Sequence, residues 1–425
     1  VEHVANYPVV RKLGEGATSE VFLCQDPFRG REVAVKRIFP EALRDPMRGR
    51  LFRKLFFTEA SLAGRLEHPH IAQIFDAGIG EDSGYIVMEY VPGGTMERFC
   101  APDSLLPVEQ VLEIAFKCAR ALSFAHARGV THRDIKPGNI LYATDPTDVR
   151  IGDFGLAINI GTETTQVTGV GSPAYMSPEQ IRDEVVDHRT DLYSLGVVMY
   201  QLLSGTLPYR GSNKFSIIFQ ITQYEPPPPS SYRRGVPESL DRIVRRAMQK
   251  DPSQRYQSGD ELAEDLIEAL RAGLGERPSG ELGEADRFVA LRRMRFFSAF
   301  ADPELWEVIA LSTWMRVSAG SAMVREGQHG DFFCMLIQGE ARVSKNKKLL
   351  SVLGPGECFG EMAYLSLSSH ERGATVTAAR DSLVMQVKVA DLGKASSDCR
   401  SKFDRAFIGI LVERLNLANT RLTSG

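Results

Sequence analysis

The hydrophobic period of this chain changes twice along its length, and apolar residues arranged on such different periods cannot all pack around one uniform core. From residue 7 to 91, short β-type runs such as VFLCQ and EVAVKRIF alternate with turn residues, interrupted by one helical stretch from Leu51 to Leu66. That pattern predicts a small sheet carrying one helix. From Val108 to Ala272 apolar residues recur at spacings of three and four, in EQVLEIAFKCARALSFAHARG, LYSLGVVMYQLLSG and DELAEDLIEALRAG, which predicts a larger and mainly helical lobe. Residues 273–286 are rich in Gly and Glu, include a Pro and carry no period, as a linker would. Beyond them, residues 315–390 form short β-type runs separated by glycines, with helical stretches near 287–310 and 400–421. The expected fold class is therefore α+β: a two-lobed domain over 1–272 (small lobe 1–91, large lobe 92–272), then a jelly-roll-like β-roll with flanking helices over 287–425.

Composition narrows the partners. A net charge of −3 and a pI near 6.3 offer no overall attraction for a nucleic-acid polymer. The six cysteines contain no CxxC pair, which argues against a zinc site or a disulfide framework and suits a reducing, cytoplasmic setting. The most apolar run, Leu192 to Leu203, is broken by Ser194, Gly196 and Gln201 and is too short for a membrane span. No signal peptide opens the chain, and a first residue of Val1 leaves a preceding segment open.

The small lobe carries the first chemistry. In LGEGATSEV, Gly14 and Gly16 allow a backbone to approach phosphate oxygens closely, and VAVK places Lys36 one hairpin later. A lysine alternating with buried valines needs an anionic partner to be held inside. Glu59, in the middle of LFFTEASLAGRL, is the candidate, and a solvated surface glutamate is the alternative.

HRDIKPGN at 132–139 and DFG at 153–155 follow, then SPE at 177–179, DLYSLG at 191–196 and Arg255. With the Gly loop and VAVK in the same order, the first 272 residues resemble the eukaryotic-type protein kinase family, in its serine/threonine rather than tyrosine branch. The resemblance implies ATP and Mg2+ as cofactors and a protein substrate phosphorylated on hydroxyls. It assigns Asp134 to the substrate hydroxyl proton, Lys136 and Lys36 to the phosphates, Glu59 to Lys36, and Asn139 and Asp153 to the metal. It places adenine against backbone groups of Glu89 and Val91 behind Met88, with Leu13, Gly14, Gly16 and Val21 completing the ATP site. Ser19 replaces the third loop glycine, and Ser172 stands where threonine is usual. Asp191 is expected to brace the HRD loop, Glu179 and Arg255 to form a buried ion pair, and Phe154 to pack.

Control is expected at two places. Arg133 beside Asp134 implies pairing with a phosphorylated loop, for which Thr162, Thr164, Thr165 and Thr168 are candidates. Residues 287–421, through VREGQHGDFFCMLIQGEARV, LGPGECFGEMAYLS and ERGATVTA, resemble cyclic-nucleotide-binding domains. That resemblance assigns Arg372 to a cyclic phosphate and Glu361 to the ribose hydroxyl, with Gly360, Gly373 and Ala374 admitting the backbone. Gly373 lacks a hydroxyl after the arginine, which favours cAMP over cGMP. Two departures stand against this: a Glu361 to Arg372 spacing about two residues longer than in the tightest relatives, and Glu371 beside the arginine. The alternative is a β-roll that binds no nucleotide and serves docking or homodimer formation. The C-terminal helical segment fits pairing with a second copy or, the reading preferred here, packing on its own domain.

Overall fold

The computed structural model describes residues 2–16, 19–44, 64–80, 83–154, 173–273, 282–365 and 371–423. Most of the expected 51–66 helix with Glu59, the four loop threonines and Ser172 lie outside these residues. The chain divides into two compact units, Val1–Glu281 and Leu282–Gly425.

In the first unit an antiparallel sheet runs in the order β1-β2-β3-β4-β6-β5. Its strands are β1 (His3–Val4), β2 (Tyr7–Glu15), β3 (Ser19–Gln25), β4 (Glu32–Ile38), β5 (Ile74–Ile79) and β6 (Gly84–Glu89), with the short helix α1 (Pro40–Arg44) after β4. Alternation along β4 sends Val33 and Val35 into a cluster with Val4, Tyr7, Phe22, Cys24 and Val87. Ala34 and Ile38 join Ile86 and Met88 in a second cluster, with Leu13 and Val21 packed against it. Parity therefore puts Lys36 on the Ala34 face, opposite Val21 on β3 and Ile86 on β6.

The rest of this unit is mainly helical: α2 (Val108–His126), α3 (Pro178–Ile181), α4 (Arg189–Ser204), α5 (Lys214–Gln223), α6 (Glu238–Ala247) and α7 (Gly259–Gly273). Helix α4 is buried along almost its whole length. At Gly196 a Cβ would come within 2.8 Å of Ala247, so only glycine lets α4 and α6 approach this closely. The helical period gave no sign of a small sheet made of β7 (Gly94–Thr95), β8 (Ile140–Tyr142) and β9 (Val149–Ile151). Strands of two or three residues are too short to show a period.

His68 and His70 are buried between this sheet and α2; the His68 ring lies 5.0 Å from that of Phe124, and His70 Nδ1 lies 2.9 Å from the Val149 carbonyl. Burial, helped by Arg120 and Arg128, pushes His68 down to about 3, and burial beside Lys117 pushes His70 well below its usual range. Both are neutral in the fold, so below about pH 6.5 the unfolded chain binds protons that the folded one does not. Their contribution is complete above that pH and is lost as pH falls toward the depressed folded values. Urea unfolding of the chain should lose about 2–3 kcal/mol between pH 7 and 5.5. An unchanged free energy across that range would show that the two rings accept protons in place.

The second unit opens with α8 (Glu284–Arg292) and α9 (Asp302–Leu311). Helix α8 starts inside the expected 273–286 linker, because Gly283 caps a first turn whose Glu284 and Asp286 suit a helix N-terminus. One antiparallel sheet has the order β10-β17-β12-β15 and the other β11-β16-β13-β14. Their strands are β10 (Ser312–Val317), β11 (Ala322–Val324), β12 (Phe332–Gln338), β13 (Ala341–Lys345), β14 (Lys348–Leu353), β15 (Cys358–Phe359), β16 (Thr375–Ala378) and β17 (Ser382–Lys388). Both sheets feed one core of Val324, Cys334, Leu336, Ala341, Leu353, Phe359, Val376 and Val384, which makes the unit a β-roll. Three further helices are α10 (Met362–Leu365), α11 (Val389–Leu392) and α12 (Ser397–Thr423). Phe403 and Phe407 anchor α12 among Phe296, Phe297, Phe300 and Phe333. Burial pushes the thiols of Cys118, Cys334 and Cys399 up to about 12, which suits packing rather than thiolate chemistry.

Candidate functional sites

Three short segments converge on Asp153. Lys36, only 5% exposed, reaches across from β4 and places Nζ 3.0 Å from Asp153 Oδ2. The Gly152 N–H donates to the Asn139 carbonyl at 2.8 Å, which ties the segment after β9 to the turn before β8. Asp153 holds a left-handed φ of 59° and Arg133 one of 65°, conformations in which non-glycine residues are uncommon. Surrounding bonds hold the Arg133 turn in place. Asp191, fully buried at the start of α4, accepts from the backbone N–H groups of His132 (2.8 Å) and Arg133 (2.6 Å) and from His126 Nε2 (2.8 Å), the brace expected of it.

Asp134 is gathered in by two donors. Lys136 Nζ lies 2.7 Å from Asp134 Oδ2, and Asn139 Nδ2 donates to the same oxygen at 3.0 Å and to the Asp134 carbonyl at 2.8 Å. The Asn139 amide N–H groups are thus turned toward Asp134, which leaves its amide oxygen as the group for a hard cation. This oxygen and the Asp153 carboxylate would be the chain's donors to a Mg2+ ion, which takes few protein oxygens beside phosphates. Across the sheet, Leu13, Val21, Ala34 and Met88 belong to one apolar cluster, and Val91 is buried next along the chain. A Cβ at Gly14 would meet nothing within 4 Å, so the strand leading into the Gly16 turn borders open space. Glu89 carries a side-chain role that its backbone assignment did not foresee: its carboxylate pairs with Arg150 at 2.7 Å.

The ion pair of Glu179 and Arg255 is present, bidentate at 2.6 and 2.7 Å, with Arg255 1% exposed and its guanidinium over the Tyr193 ring. Beside Glu179, Gln180 Nε2 donates to the Arg133 carbonyl at 2.9 Å. Arg133 Nε is buried with no hydrogen-bond partner among the described residues. The sequence reading missed His132, whose Nε2 donates to the Gly152 carbonyl at 2.8 Å while Nδ1 accepts from the Asp134 N–H. This ring joins the Asp134 turn to the Asp153 turn. Phe154 packs on it edge-on, as a packing residue.

In the β-roll, the Arg372 guanidinium is engaged by the protein itself. Its guanidinium donates to the carbonyls of Gly360 (3.0 Å) and Phe332 (2.7 Å), lies over the Phe332 ring and is buried. Gly360, at φ 76°, leaves no room for a Cβ, which would lie 2.6 Å from Arg372 Nη1. Gly373 is exposed with open space around it, and Ala374, just before β16, is half-buried. The Glu361 carboxylate is buried and receives the guanidinium of Arg414 from α12, whose Nη2 also donates to the Cys358 carbonyl at 2.6 Å. Arg414 was not anticipated, since nothing in the local pattern connects residues 53 positions apart.

The fold and the turns around Asp134 and Asp153 define a protein kinase unit followed by a β-roll of the cyclic-nucleotide-binding type. Residues 7–267 match the protein kinase domain model, so the chain belongs to that family, and residues 314–397 match the cyclic nucleotide-binding domain model. The chain is 40% identical over 284 residues to the serine/threonine-protein kinase PknB of Mycobacterium leprae (strain TN), covering 65% of this chain and 44% of that protein. To PknB of Mycobacterium tuberculosis (strain ATCC 25618 / H37Rv) it is 37% identical over 291 residues, 66% of this chain and 45% of the other. To a probable serine/threonine-protein kinase of Clostridium perfringens (strain 13 / Type A) it is 37% identical over 262 residues, 61% and 38%. The chain spans under half the length of these relatives. Among the described residues, no helix is long and apolar enough to cross a membrane.

Proposed function

We propose that the chain transfers the γ-phosphoryl group of ATP to serine and threonine hydroxyls of a protein substrate, and that a cyclic nucleotide in the β-roll, cAMP rather than cGMP, biases this transfer. The observation that carries the first part is the pairing of Lys36 with Asp153 beside an Asp134 held by Lys136 and Asn139. The substrate oxygen bonds to phosphorus, the bond to the β-phosphate oxygen breaks, and the hydroxyl proton passes to Asp134. Lys36 and Lys136 balance charge on the phosphates, and Asn139 and Asp153 would hold Mg2+, which would supply further charge compensation there. Adenine occupies the slot of Leu13, Val21 and Met88, bonding to the backbone of Glu89 and Val91. A phosphate on one of Thr162, Thr164, Thr165 or Thr168 pairs with Arg133, whose Nε has no partner among the described residues, which favours this reading.

The second part rests on the matched domain and on the closeness of Gly360, Glu361 and Arg372. A competing reading, a β-roll that serves only docking, is favoured by the protein groups that already engage Glu361 and Arg372. Calorimetric titration of the full chain with cAMP and with cGMP separates the two, followed by peptide phosphorylation at saturating nucleotide. Heat with cAMP, weakened about tenfold by Glu361→Gln and accompanied by a changed phosphorylation rate, supports control. No heat from the folded chain with either nucleotide leaves an enzyme with a docking module.

A further inference from the structure

Glu89 closes β6, and its carboxylate is held from two sides. Oε1 receives Arg150 Nε at 2.7 Å and Oε2 accepts from the Gln73 backbone N–H at 3.3 Å, while the Gln73 carbonyl takes the Glu89 N–H at 2.8 Å. Arg150 comes from the other lobe, in the middle of β9 and three residues before Asp153. Its neighbours Val149 and Ile151 are fully buried, so the alternation of the strand turns Arg150 to the opposite side, where it meets the end of β6. We propose that Arg150 is a positioning residue of the nucleotide site: by fixing the Glu89 carboxylate it sets the backbone of residues 89–91, against which adenine binds. This rests on the proposed ATP site.

The pair closes a ring of contacts. Ile151 donates to the His70 carbonyl and accepts from the Ala72 N–H, both at 2.9 Å, so β9 is already tied to the segment that leads to Gln73. Gln73 is in turn tied to Glu89, and Arg150 joins the two ends of this path directly. Asp148, the residue before β9, takes Arg150 Nη1 at 2.8 Å and orients the guanidinium from its own strand. Without that guanidinium Glu89 keeps its backbone bond to Gln73, so the sheet stays formed, but one side-chain anchor of the residues that follow is gone. A nucleotide then meets the competent arrangement for only part of the time, and its apparent affinity falls by that fraction.

The pair is 22% and 30% exposed, so it contributes little to the stability of the whole unit. Its loss should therefore show in nucleotide affinity and hardly in melting. Because Arg150 also precedes Asp153, a second route, through the turn that faces the phosphates, has to be told from the first.

The two routes part on the ligand. The full chain and its Arg150→Gln, Arg150→Lys and Asp148→Asn variants are titrated calorimetrically in Mg2+ with ATP and with inorganic tripolyphosphate, which has no base, and kcat and the ATP KM are measured for peptide phosphorylation. Arg150→Gln should weaken ATP binding and raise its KM about fivefold, with tripolyphosphate affinity and kcat within about twofold and melting within about 2 °C of the wild type. Arg150→Lys keeps the charge but not the fork that reaches Glu89 and Asp148 together, and should fall between. Asp148→Asn retains the Glu89 pair and should bind both ligands within about twofold of the wild type. Equal losses for ATP and tripolyphosphate would mean that Arg150 acts through Asp153, and an unchanged ATP affinity would mean that the backbone after Glu89 holds without it; either overturns the proposal while leaving ATP binding intact. No heat from ATP with the folded wild type would overturn the ATP reading and this proposal together.

Discussion

Asp153→Asn lowers kcat for peptide phosphorylation by about a thousandfold, about 4 kcal/mol in the barrier, while the chain stays folded. The substitution keeps size and shape, and asparagine tolerates the left-handed φ of 59° that this position requires. What it removes is one negative charge, at the point where Lys36 is paired and, in the proposed mechanism, Mg2+ would be held. A neutral amide still accepts a hydrogen bond from Lys36 but no longer competes for a hard divalent cation. Steady-state kinetics, read beside a circular-dichroism melt, test this. A loss of less than tenfold with an unchanged melting temperature would place the charge-holding role elsewhere than on Asp153.

The face on which Lys36 lies was legible because a strand has a period of two: once VAVK is a strand, Lys36 must share a side with Ala34 and Ile38. The turns at Asp134 and Asp153 were legible as motifs but not as geometry. Nothing local shows that His132 joins them through the Gly152 carbonyl, or that Glu89 spends its carboxylate on Arg150. The short strands β7 to β9 escaped because two or three residues carry no measurable alternation. In the β-roll the limit was sharper. The sequence places Arg372 and Glu361 near one another, yet whether a charged group is free or already bonded depends on distant residues. Here Phe332, 40 positions away, takes the arginine, and Arg414 takes the glutamate. Motif reasoning assigns chemical capacity; long-range contacts decide how much of it is left for a ligand.

Arg255→Met should destabilise the kinase unit by about 3–5 kcal/mol, a large share of the roughly 5–15 kcal/mol that holds a domain together. The guanidinium satisfies both oxygens of Glu179 and also donates to the Gln249 carbonyl at 2.6 Å and the Lys250 carbonyl at 3.2 Å, all in the interior. Methionine fills most of the space but strands a buried carboxylate and those two carbonyls. Removing both charges, as Glu179→Leu with Arg255→Met, should restore all but about 1–2 kcal/mol, because a buried ion pair gains little over apolar packing once its desolvation is counted. Urea unfolding of both variants reads this directly, and a single-variant loss under about 1 kcal/mol would show that water reaches the site. Stability and activity should then part company. Glu179 stands beside Gln180, whose side chain holds the Arg133 carbonyl one residue before Asp134. An apolar pair packs without a preferred rotation, whereas the bidentate pair fixes the orientation of α3 and therefore of Gln180. The double variant should accordingly melt near the wild type yet phosphorylate about tenfold more slowly, by analogy with the cost of slightly misplaced catalytic groups. Full recovery of rate along with stability would mean that α3 keeps its position without the pair.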